Sequence, residues 1–128
     1  MKKVHAFYED MLGAHLILYL GSRKECIAWA RKKWNLPLDD CYLSSENGNY
    51  FTIEAQDDSG VLARVIHIAD NSIGVAVHES VHAAYSILND RNIPVTCEDN
   101  ECLCYLSQWI CDRIFEAIGL QYGGLMVH

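Results

Sequence analysis

His78-Glu79-Ser80-Val81-His82 sets two imidazoles four positions apart, with a carboxylate directly after the first. On an α-helix, residues i and i+4 share a face, so both rings can converge on one metal ion while Glu79 reaches a water held there. Two neutral imidazoles plus a carboxylate, with one coordination position left open, suit Zn2+. The ion lowers the pKa of its bound water toward about 7, and Glu79 would take the proton. Magnesium and calcium prefer all-oxygen shells and fit less well. Six histidines and eight glutamates in 128 residues give about 0.017 chance occurrences of H-E-x-x-H, which disfavours a helix that merely carries two surface histidines and a solvated glutamate.

Other candidates surround this string. Tyr85 lies three residues beyond His82 and seven beyond His78, on nearly the same helical face, where its hydroxyl would stabilise a developing oxyanion. Tyr105, four residues past Glu101, has a similar claim. For both, packing with a hydrogen-bonded hydroxyl is the plainer role. Cys97, Cys102, Cys104 and Cys111 contain no C-x-x-C pair, and Cys102 and Cys104 diverge by about 200° on a helix, so they cannot chelate one ion together. Cys102, Cys104 and Cys111 are expected to pack as small hydrophobes. A zinc deaminase needs H-x-E and a later P-C-x-x-C, and neither is present.

The elements that must position these residues follow from pattern. Ala14 to Leu20 is an apolar run ended by Gly21, and Ser22-Arg23-Lys24-Glu25 has the spacing of a capping box, so a strand feeds a helix. That helix runs from about Arg23 to Trp34, burying Cys26, Ile27, Ala30 and Trp34 with a solvated basic face, and Asn35-Leu36-Pro37 ends it. Asn49 to Ala55 and Val61 to Ala69 are β-branched and aromatic runs joined by a turn at 56–60, which reads as a hairpin. The segment from about Ser72 to Asp90 carries Ile73, Val77, Val81, Ala84 and Leu88 on one helical stripe, capped by Asp70, Asn71 or Ser72. The small, apolar neighbours of the H-E-x-x-H string are expected to bury this helix. A last helix spans about Asn100 to Ile118, with Gly119 as its stop.

Composition bounds the rest. The chain is 51% hydrophobic and 21% charged, with a mean hydropathy near zero, the balance of one soluble domain with a real core. No run of eighteen apolar residues exists to span a bilayer. A net charge of -7 argues against a nucleic-acid partner, which calls for a Lys/Arg surplus. The N-terminus meets Glu9 and Asp10 before any signal-peptide core, so the expected setting is cytoplasmic, with the six cysteines reduced. With no internal repeat or linker, residues 1–128 form a single α+β domain, a small, mainly antiparallel sheet packed against about three helices.

H-E-S-V-H after a strand ending Val65-Ile66-His67-Ile68-Ala69-Asp70, and before a helix opening Asp99-Asn100-Glu101, resembles the gluzincin arrangement of zinc metallopeptidases. Within it, VAVHESVHAAYSIL and EDNECLCYL are similar to small bacteriophage-encoded proteins described as metallopeptidases, and more distantly to ImmA/IrrE-type peptidases. The resemblance covers about Ile66 to Ile110. The metzincins are excluded, because no Gly and third His follow His82 at their spacing. It implies a minimal zincin-like fold, a peptide or protein substrate, and a strand, Val61 to Ala69, serving as the sheet edge to which that substrate adds. His67 on this strand would then polarise a substrate carbonyl, although a lone strand histidine is more often structural.

The resemblance also implies a third ligand from the second helix. Glu98, Asp99, Glu101 and Asp112 compete for it, along with His67 and the cysteines. Glu101 is preferred because it opens that helix, whereas Asp99 or Asn100 serves the cap and Asp112 lies about three turns along. The leading expectation is a zinc metallopeptidase with His78, His82 and Glu101 as ligands and Glu79 as general base. The alternative is a non-catalytic phage-type interaction or host-defence protein with a structural zinc or none. A chain this short leaves little material for a substrate cleft, and a second copy or a host protein partner would supply the missing wall.

Overall fold

The computed structural model describes residues 2–35, 43–54, 62–70 and 72–122. The Leu36-Pro37 helix stop, the 56–60 hairpin turn and Asn71 as a cap lie outside the described residues. Seven elements follow in chain order: β1 (Val4–Glu9), β2 (Ala14–Leu20), α1 (Arg23–Trp34), β3 (Gly48–Glu54), β4 (Leu62–Ile68), α2 (Ile73–Asp90) and α3 (Glu101–Tyr122). The small α+β fold expected from the sequence is present.

The strands form one sheet in the order β1-β2-β4-β3. β1 pairs antiparallel with β2, and β3 antiparallel with β4; the central β2–β4 pair is parallel. The alternation of each strand sorts its side chains onto two faces. Leu16, Leu18, Leu20, Ile66 and Ile68 pack with α2 and α3, while Tyr19, Phe51, Ile53 and Val65 pack with Cys26, Ile27 and Ala30 of α1. The sheet is thus the middle of three layers, and β2 is apolar almost throughout because both of its faces are covered.

Local chemistry sets the helix ends. Ser22 and Glu25 form the expected reciprocal capping box of α1, and Asn35 closes it in the left-handed region (φ 52°, ψ 43°), which asparagine tolerates. Ser72 accepts from the Val75 amide at the start of α2.

Three expectations need correction, and one strand was not expected at all. β4 is not a sheet edge: β2 and β3 flank it, and β1 and β3 are the edges. β1 itself has no counterpart in the sequence reading, since V-H-A-F-Y-E alternates too weakly to announce a strand and owes its place to pairing with β2. α3 continues past Gly119 to Tyr122, because a glycine weakens a helix but ends it only where the chain turns left-handed. Finally, the buried face of α2 is Ala76, Ser80, Ala83, Ala84, Ile87 and Leu88, together with Glu79. It is turned by about 80° from the expected stripe, which leaves Ile73 and Val77 exposed. Small residues on that face let α2 lie close to the sheet and to α3, a contact that bulkier Ile73 and Val77 would hold open.

Candidate metal centre

The rotation of α2 decides the geometry of the H-E-x-x-H string. His78 and His82 point outward, with the His78 side chain 70% exposed, whereas the Glu79 side chain is 5% exposed at the edge of the buried face. The two Nε2 atoms lie 3.1 Å apart and the rings meet edge-on at 76°. Zn–N bonds of about 2.0–2.1 Å in a tetrahedral shell set two nitrogens about 3.3 Å apart, so the pair has the bite of a zinc-binding couple. Glu79 Oε1 is 3.9 Å from His78 Nε2. Glu79 Oε2 is buried with no hydrogen-bond partner, a state that costs free energy unless something at the site satisfies it. Burial pushes the Glu79 carboxyl above its ordinary value, and the two histidines oppose that shift.

A cavity of about 520 Å³ opens in front of these groups. One wall is α2, through Gly74, Val75, His78, Glu79 and His82; the other is the turn into β3 and the start of that strand, through Ser44, Ser45, Asn47, Gly48, Asn49 and Tyr50. The walls meet at Gly48. A Cβ there would overlap Val75 Cγ1 and come within 3.3 Å of Glu79 Cγ, so only glycine admits this closeness of strand and helix. These β3 residues were not among the sequence candidates. The Asn47-Gly48 dipeptide, a turn signal just before a strand, was the mark they left.

The other expected site residues are elsewhere. Among the described residues, the His, Cys, Asp and Glu side chains that gather around one point are His78, Glu79 and His82, within 4.8 Å of one another; Glu101 is not a member. α2 and α3 form a helical hairpin in which the Cys111 thiol meets the Ser80 hydroxyl. Glu101 lies ten residues before Cys111, hence about 15 Å along the axis, near the far end of α2. Asp112 stands at the right level but does not join the group.

Tyr85 and Tyr105 are exposed and do not line the cavity. Cys97, Cys102 and Cys104 are exposed rather than packed, and Cys111 is half-buried. His67 faces the α1 side of the sheet, the opposite side from α2, because it pairs in register with Tyr19 and Asn49. It is fully buried and bonded to Asn49 and to the Gly21 carbonyl, so its ring is not among the groups that line the cavity.

No protein-family model, no curated protein and no solved structure matches this chain. Among the described residues, no helix is long and apolar enough to cross a membrane.

Proposed function

We propose that this chain is a zinc-dependent hydrolase, a small metallopeptidase that uses Glu79 as general base. The observation that carries the reading is the buried Glu79 carboxylate, with Oε2 unpartnered, beside two Nε2 atoms 3.1 Å apart at an open cavity. The donor set fits zinc: His78 and His82 would hold the ion through Nε2, and nitrogen donors disfavour magnesium and calcium. When bound, zinc supplies Lewis acidity toward a carbonyl and a water of lowered pKa.

The chain's own residues do the rest. Glu79 Oε2 is buried without a hydrogen-bond partner, and burial makes the carboxylate a stronger base than a solvated one. It accepts the proton of the attacking water and returns it to the leaving amine. Gly48 lets the β3 wall close on this carboxylate, so a substrate in the cavity lies between the strand and α2.

The test is zinc titration of the full chain and of Glu79→Gln, with release of peptides from an unfolded polypeptide as the activity readout. Wild type takes up about one zinc and cleaves; Glu79→Gln takes up zinc and loses about 10²-fold or more of the rate; His78→Ala and His82→Ala lose the metal. No zinc uptake at micromolar concentration by folded protein overturns the reading. Zinc uptake without cleavage by wild type replaces it with a non-catalytic binding protein.

A further inference from the structure

The cavity wall opposite α2 is held from behind the sheet. Asn49 Nδ2 donates to the Ser45 carbonyl (2.8 Å) and Asn49 Oδ1 accepts from the Ser45 amide (3.2 Å), so one side chain closes the 45–49 turn as a second peptide unit would. The Ser45 hydroxyl accepts from the Asn47 and Gly48 amides (3.2 and 3.4 Å), and the Asn47 carbonyl accepts from the Ala69 amide. The sheet ladder holds the Asn49 backbone beside His67, and the His67 ring, 3.0 Å from Asn49 Nδ2, orients the side chain that closes this turn.

The bonds leave one assignment for the ring. Because Asn49 Oδ1 is committed to the Ser45 amide, the amide nitrogen faces His67, so Nδ1 must accept and Nε2–H must donate to the Gly21 carbonyl (2.8 Å). Only neutral imidazole does both. An imidazolium would set Nδ1–H against the Asn49 N–H, donor against donor, in a place with no exposure to water. We propose that His67 is a positioning residue for the cavity: in its neutral form it latches the 45–49 turn through Asn49, and its protonation releases that wall. The proposal rests on the hydrolase reading for its importance, since the same wall bounds the Glu79 site.

The charges around the ring agree with this. From α1 it faces Arg23, whose guanidinium pairs with Glu46 of the same turn (3.0 Å) and donates to the Leu43 carbonyl (3.2 Å). β2 presents Tyr19, and the Lys3–Glu25 pair lies beyond Gly21; β3 presents the uncharged Asn49. Burial disfavours the imidazolium most, the Gly21 carbonyl and Glu46 favour it and the Arg23 charge opposes it, so His67 titrates below its ordinary value of 6.5. At neutral pH the latch is closed, and acidification opens it.

Nitrogen-15 NMR of the metal-free full chain from about pH 8 down to about pH 4 tests this, following the His67 ring and amide exchange as protection factors. The expected result is that the Asn47, Gly48 and Ala69 amides lose about tenfold in protection, the size of one lost hydrogen bond, in a step that shares the His67 midpoint. Asn49→Ala leaves the Asn47 and Gly48 amides unprotected at every pH while the ring still titrates, and His67→Gln has no step. The double variant His78→Ala/His82→Ala keeps the step, so loss of the zinc reading and loss of the latch are separate outcomes. Protection that stays constant through the His67 titration, or a step that vanishes with His78 and His82, overturns the proposal. Should His67→Gln fail to fold, the comparison of Asn49→Ala with wild type decides alone.

Discussion

At the scale of single residues, Glu79 is a charged group held where its charge is disfavoured. Its carboxyl titrates above its ordinary value of 4.5 because of burial, against the pull of His78 and His82. The folded chain therefore keeps this proton at pH values where the unfolded chain has lost it, so stability falls as pH rises from 4.5 through the raised value. In Glu79→Gln that part of the slope is expected to vanish, measured as the urea midpoint of metal-free protein over a pH series; an unchanged slope would show that the carboxyl is not desolvated. Gly48 is the second residue with an outsized role. Gly48→Ala drives a methyl into Val75 and toward Glu79, and should cost about 1–3 kcal/mol by overpacking. Adding Val75→Ala should recover much of that cost, and the non-additivity seen by chemical denaturation checks the contact.

At the scale of elements, α2 carries the site, and its orientation matters more than its boundaries. Ser72 caps it through the Val75 amide, so Ser72→Ala should cost about 1 kcal/mol, read as a lowered Tm. The helix and its H-E-x-x-H string were legible in the sequence, and its cap was narrowed to Asp70, Asn71 or Ser72, because each is written in residues within a few positions of one another. Which face it buries was not. Two overlapping apolar stripes compete on α2, and the small residues win by allowing closer contact with the sheet and with α3. The antiparallel run of α3 likewise carries Glu101 toward the far end of α2. Glu101→Ala is accordingly expected to leave zinc affinity unchanged within about twofold, measured by competition with a chromophoric chelator; a loss of about tenfold or more would restore Glu101 as a ligand.

At the scale of the whole molecule, Arg64 of β4 and Asp90 at the end of α2 bind the sheet to the site helix by an ion pair in which Arg64 is almost fully buried. Removing the carboxylate strands that charge, so Asp90→Ala should cost about 2–3 kcal/mol. Replacing the pair together, Arg64→Met with Asp90→Ala, should cost less than Asp90→Ala alone; equal losses in urea denaturation would show that the buried charge needs no partner. Arg91 reinforces the same end of α2 by donating to the Leu12 and Gly13 carbonyls of the β1–β2 turn. The sequence by itself determined what is local: the capping box of α1, the β3–β4 hairpin, the two histidines on one helical face and the α+β class. Tertiary structure alone decided that β4 lies inside the sheet, that His67 faces away from the cavity, that Glu79 is buried while His78 and His82 are exposed, and that β3 supplies the opposite wall. Each of these depends on which face of an element meets which neighbour, a choice made by packing among residues far apart in the chain, and periodicity records a face without naming what covers it.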